Sequence, residues 1–190
     1  MPTSPMKSWP SCRTSNLKIR IIGIDPGSRQ TGYGIIDSDG VHSVYVASGC
    51  IYVKGDSLPE RLGDIFSRVS EIVTEWQPLE MSVEQVFVNK NVESAMKLGQ
   101  ARGAAICAGV QNQLKVSEYT PKAVKSAVVG TGNATKDQVN HMMSMMLNLK
   151  QELQADEADA LGVALCHAHN RTLINRIPEI KRKRSGGRWL

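Results

Sequence analysis

Two short apolar runs, rich in β-branched residues, each carry one acid in a place where a buried strand has no use for a charge. The first, Lys18-Ile-Arg-Ile-Ile-Gly-Ile-Asp25, is uncharged from Ile21 until it closes on Asp25 and the turn Asp-Pro-Gly. The second, Met81-Ser-Val-Glu-Gln-Val-Phe-Val88, is interrupted by Glu84. Both read as strands, and within a strand a glutamate is disfavoured and costly to bury unpartnered. Between them Leu58, Leu62, Ile65, Val69, Ile72, Val73 and Trp76 recur at helical spacing, opened by Pro59 and closed by Pro78. A helical crossover of this kind implies that the two strands lie parallel in one sheet.

The other elements complete that sheet. Residues 32–37 and 41–53 read as strands joined through Ser38-Asp39-Gly40, whose Asp-Gly step signals a hairpin, so the first three strands form an antiparallel meander. A helix is expected over Asn91–Gln113, a short strand near Val116–Tyr119, a helix from Pro121 to about Val129, and a Met-rich helix from about Thr135. In the first of these helices Ala95, Gly99 and Gly103 make a smooth stripe suited to a close contact, within the chain or with a second copy. Met142, Met143, Met145 and Met146 are expected to fill core gaps. The last helix, from about Gln154, is apolar nearly all round after its first turn and should be well buried. The order βββαβαβ followed by helices predicts one α/β domain, a mixed sheet covered by helices.

With 190 residues the chain can bury a full core without disulfide or structural metal, and Cys12, Cys50, Cys107 and Cys166 show no paired spacing. Reduced thiols in a cytoplasmic protein are the expectation. No run of 18 apolar residues exists that could cross a membrane. The formal charge is +5, but residues 171–190 hold +6 and the first sixteen +2, leaving −3 for residues 17–170. Lys181-Arg182-Lys183-Arg184 could grip a polyanion, or be a solvated tail that contacts nothing. Prolines in residues 1–17 oppose the amphipathic helix of a transit peptide, so that leader is expected to be disordered. The domain is assigned to residues 18–175, with a basic tail over 176–190.

The acids carry the chemistry. Asp156 and Asp159 lie three apart at the head of the last helix, on one face. If that helix packs across the strands bearing Asp25 and Glu84, four carboxylates converge; groups so placed take up protons or collect a cation. All-oxygen ligation suits Mg²⁺ or Mn²⁺. Two such ions, roughly 3.5–4 Å apart, can activate water and stabilise a leaving oxygen in phosphodiester hydrolysis. The competing readings are an Asx-turn at Asp25 and simple capping by Asp156 and Asp159.

These residues resemble the RuvC Holliday-junction resolvases of bacteria. The resemblance lies in Ile-Gly-Ile-Asp-Pro-Gly-Ser-Arg-Gln-Thr-Gly-Tyr-Gly (22–34), Glu-Gln-Val-Phe (84–87), Lys-Leu-Gly-Gln-Ala-Arg-Gly (97–103) and Ala-Asp-Glu-Ala-Asp-Ala-Leu (155–161). It implies a ribonuclease-H-like fold, a mixed five-stranded sheet with strands 1–3 antiparallel and strands 1, 4 and 5 parallel. It implies that Asp25, Glu84, Asp156 and Asp159 are catalytic metal ligands for Mg²⁺, two ions per site, with Mn²⁺ able to substitute. Lys125 and Lys136 would then sit beside the scissile phosphate, and Phe87 would stack on unpaired bases. The partners implied are four-way junction DNA, a second copy of the chain and the RuvA–RuvB branch-migration complex. Two rival functions are weighed beside it, an actin/hexokinase-like ATPase lobe and a protein that binds junctions without cutting them.

Overall fold

The computed structural model describes residues 18–85, 92–149 and 153–176, with side chains as far as Arg171; the leader, the basic tail after Arg176 and Phe87 lie outside these. Strands β1 (Ile19–Asp25), β2 (Gln30–Ser38) and β3 (Ser43–Tyr52) form the expected antiparallel meander. Helix α1 (Leu58–Trp76) crosses to β4 (Glu80–Glu84), and α2 (Val92–Gln111) to β5 (Lys115–Tyr119). Helices α3 (Pro121–Val129), α4 (Lys136–Met146) and α5 (Ala155–Arg176) follow. The strand order is β3-β2-β1-β4-β5, with β4 parallel to both β1 and β5. This is the mixed sheet of a ribonuclease-H-like fold.

Local chemistry explains the element boundaries. Ser57 and Glu60 form a capping box at the head of α1, and Gln77, left-handed at φ 48°, ends that helix. Thr120 caps α3 ahead of Pro121, Gly130 closes it at φ 81°, and Thr135 with Gln138 boxes the head of α4. The β2–β3 connection is wider than a two-residue hairpin because Asp39 Oδ1 accepts from the backbone of both Val41 and His42 at 2.8 Å. Those bonds fold residues 39–42 into an Asx turn before Ser38 and Ser43 pair.

The strands' two-residue period divides the core. Ile22, Ile24, Ile35, Met81 and Val83 point to α1 and α2, while Ile19, Ile21 and Ile36 point to α5. On the α5 side the floor is unusually low. Gly23 and Gly34 are directly paired, as are Asp25 and Gly32. A Cβ on Gly23 would stand 2.1 Å from the Ala160 carbonyl oxygen, and one on Gly34 2.7 Å from the Leu161 nitrogen. The backbone of α5 therefore rests on the sheet itself, and its residues from Ala158 to Ala168 are buried except Asp159.

One expectation needs correction. Of the four methionines on α4 only Met143 is fully buried and Met146 partly packed, whereas Met142 and Met145 are exposed; α4 is a surface helix with one inward face. The Ala95/Gly99/Gly103 stripe is suited to a contact within the chain or with a second copy, and among the described residues nothing lies within 4 Å of a Cβ built on Gly99 or Gly103. The helix packs through Ala101, Ala105 and Ala108 instead.

A buried polar cluster ties the far end of α5 to the sheet. His167, 3% exposed, places Nε2 2.6 Å from Glu80 and Nδ1 2.8 Å from the Tyr119 hydroxyl, while Arg171 donates to Glu80 at 3.0 Å. The His167 hydrogen bond, against the opposing effect of burial and with help from Arg171, holds Glu80 down at about 2. A carboxylate depressed on folding stabilises above its unfolded pKa and loses that contribution as pH falls toward its folded one. Glu80→Gln should therefore cost roughly 1–3 kcal/mol at neutral pH. Chemical denaturation of both proteins should show the gap closing between about pH 4.5 and 2.

Candidate active site

The ends of three elements meet at one rim of the sheet. Asp25 is the last residue of β1 and Glu84 the last of β4; the strands are parallel and hydrogen-bonded neighbours, so their C-terminal ends open on the same side. The chain leaves Asp25 through Pro26 and Gly27, and this turn is clamped by buried Thr31, whose Oγ1 accepts from Gly27 N and donates to Gly27 O. Asp156 and Asp159 occupy the first turns of α5, facing the sheet. One oxygen from each of Asp25, Asp156 and Asp159 can be chosen so that all lie within 4.8 Å of one another. Glu84 stands outside that group of three, beside Asp25 and close enough for each carboxyl to perturb the other's protonation.

The backbone cap at the head of α5 is supplied by a different acid. Glu157, between the two aspartates, turns back to accept from the Gln154 backbone at 3.3 Å, and so does the capping work. Asp156 and Asp159 remain directed at Asp25. Gln154 is held in turn by Gln30 at 3.4 Å and by the Tyr52 hydroxyl at 3.1 Å.

Crowding of like charges leaves its mark on protonation. Burial, then the charges of Glu84, Asp159 and Asp156, push the Asp25 carboxyl up to about 8. Glu84 is also raised, by burial first and by Asp159, with partial relief from Asp25, Lys136 and Lys125. All-oxygen donors that cannot ionise together fit a hard divalent cation, which would take the place of the bound proton.

Both sequence-identified lysines reach this rim. Lys136, at the head of α4, donates to Asp159 Oδ2 at 2.9 Å; Lys125 on α3 donates to the Ala134 carbonyl at 3.0 Å. With Glu84, Asp159, Pro121, Val124 and Val139 they line a cleft of about 200 Å³. Phe87, three residues beyond Glu84, falls among residues 86–91, outside the described residues. Sequence reasoning missed the His167–Glu80 cluster and the glycine floor. The only available sign of the floor was glycine at alternate positions of strands, at 23, 32 and 34, a pattern that marks close backbone approach.

Residues 21–167 match the family described as Crossover junction endodeoxyribonuclease RuvC. The chain is similar to the crossover junction endodeoxyribonuclease RuvC of Methylococcus capsulatus, 54% identical over 86% of this chain and 99% of that one. The Vibrio cholerae protein of the same name is 57% identical over 81% of this chain and 90% of its own. Among solved structures, Thermus thermophilus RuvC in complex with Holliday junction substrate is 31% identical and superimposes with a TM-score of 0.77, covering 82% of this chain and 96% of that chain.

The raised Asp25 predicts a stability cost. A carboxyl whose pKa rises on folding stabilises fully below its unfolded value, near 4, and loses that contribution as pH climbs to about 8. In EDTA the wild-type protein should lose thermal stability from pH 5 to pH 8.5, and Asp25→Asn should lose clearly less, keeping only the share due to Glu84. At pH 8 the variant should be more stable by at least about 1 kcal/mol, a Tm gain of roughly 2–4 °C. Adding Mg²⁺ should raise the wild-type Tm and leave the variant's unchanged.

Proposed function

The chain belongs to the RuvC family of crossover junction endodeoxyribonucleases, nucleases of Holliday-junction resolution, and we propose that its four acids and two lysines cut the junction by metal-assisted phosphodiester hydrolysis. The observation that carries this reading is the convergence of Asp25, Asp156 and Asp159, beside a cleft lined by Glu84 and two lysines. Neither rival function, ATPase lobe or non-cutting binder, is favoured.

Divalent metal dependence follows from the family, and the ion is proposed to be Mg²⁺, two per site, with Mn²⁺ able to substitute. When bound, such ions supply an activated water and neutralise charge on the phosphate. Asp25, Glu84, Asp156 and Asp159 would hold them. Lys136 and Lys125, ammonium groups on the cleft wall, orient the phosphate and offset the negative charge that grows as the water oxygen bonds to phosphorus and the phosphorus–oxygen bond of the strand breaks. Fixed groups of this kind need no reorganisation during reaction. Phe87 is assigned to stacking on bases opened at the crossover.

A four-way junction has approximate two-fold symmetry, and paired nicks call for two matched sites, so the enzyme is proposed to act as a homodimer. Supporting this, the α2 face around Gly99 and Gly103 is open, and nearby Val92 and Met96 are 64% and 62% exposed. A cytoplasmic setting and handover from the RuvA–RuvB complex complete the proposal; among the described residues no helix is long and apolar enough to cross a membrane.

With a synthetic mobile junction, Asp25→Asn and Glu84→Gln should each lower the cleavage rate by about 10²-fold or more while junction affinity stays nearly unchanged. Normal cutting by either variant would overturn the mechanism. Gly99→Arg should convert a dimer into a monomer in sedimentation and replace paired nicks by unpaired ones.

A further inference from the structure

Strand β2 contributes no acid to the rim, yet one of its residues touches an acid's backbone more closely than any ordinary side chain would allow. Gly32 is the direct cross-strand partner of Asp25. Side chains so paired normally stand about 4.5–5.5 Å apart at Cβ and fill the space over the sheet between them. Here that space is taken by the first turn of α5: a Cβ on Gly32 would lie 2.0 Å from the Asp156 carbonyl oxygen and 3.0 Å from Asp156 Cβ.

We propose that Gly32 is a positioning residue for catalysis: by leaving empty the place beside Asp25, it seats Asp156 there and sets the spacing between the two carboxylates. The inference rests on reading those carboxylates as metal ligands. Gly23, against Ala160 next to Asp159, and Gly34, against Leu161, extend the same seat along the helix. A methyl group on Gly32 could not be absorbed by a rotamer change, because the atoms it meets are backbone. Carbon and its neighbours need roughly 3.5 Å, so the head of α5 would have to retreat by about 1 Å or more. Metal–oxygen distances tolerate only about ±0.2 Å, and a misplacement of about 1 Å can cost on the order of 100-fold in rate.

The test separates seating from mere stability. Gly32→Ala is compared with Ile65→Ala, which opens a cavity at a fully buried α1 position on the opposite face of the sheet. Calorimetric titration of each protein with Mn²⁺ at 10 °C gives metal affinity, and EDTA-held junction binding gives DNA affinity. Gly32→Ala should bind Mn²⁺ at least about tenfold more weakly, with junction affinity kept and kcat rather than KM reduced. Ile65→Ala should lose Tm and keep its metal affinity within about twofold. Gly34→Ala, which lifts the same helix one turn further on, supplies a second measurement if Gly32→Ala does not fold, and should weaken Mn²⁺ in the same direction. Equal metal affinity in wild type and the glycine variants, or an equal loss in Ile65→Ala, overturns the inference. A wild-type protein that binds no Mn²⁺ would instead overturn the reading of the acids as ligands.

Discussion

The arrangement depends on a helix lying with its backbone directly on a sheet. An ordinary helix–sheet interface is separated by two layers of side chains, and a short carboxylate on such a helix could not reach a strand end. Gly23, Gly32 and Gly34 remove one of those layers over the central strands, so α5 drops onto β1 and β2. Only then do Asp156 and Asp159, which have a single methylene each, come within reach of Asp25. The apolar character of α5 follows from the same approach, since a helix this close to the sheet, with α3 and α4 outside it, has almost no wet face.

Lowering the helix gathers charge that the bare protein does not want. Asp25 and Glu84 are both pushed toward their protonated forms, by burial first, and then Asp25 by the charges of Glu84, Asp159 and Asp156 and Glu84 by that of Asp159. Lys136 answers part of this through Asp159, but a half-exposed ion pair is a weak counterweight. The rim is thus a place where like charges are held together at a cost in stability. For an enzyme whose substrate backbone is anionic, a site of bare carboxylates would repel DNA, and the proposed metal loading, with the flanking lysines, would offset that repulsion.

The opposite end of α5 shows the complementary solution to burying charge. Glu80 sits at the start of the same strand that ends in Glu84, and there a carboxylate is met by His167 and Arg171 and becomes firmly ionised. One strand thus carries a satisfied acid at one end and an unsatisfied one at the other. The satisfied end ties α5 to β4 and, through Tyr119, to β5, fixing the helix lengthwise, while the glycines set its height.

Strand and helix positions and the parallel crossover were legible in the chain because each depends on local period, and two of the candidate acids because each is a charge in an apolar run. Glu84 stood out for that reason, as did Asp25 at the end of Ile21-Ile-Gly-Ile. The neighbouring acids Glu157 and Glu80 could not be sorted the same way, because capping, ion pairing and metal binding call for the same carboxylate. Nor could spacing show that Met142 and Met145 face outward, or that Gly99 is open, since a helix pattern does not say what lies against each face. Sequence determined which groups are available and on which elements; tertiary structure decided which of them meet. The reason is that repulsion among acids, like the fit of a helix onto glycines, acts through distances of a few ångströms between residues far apart in the chain.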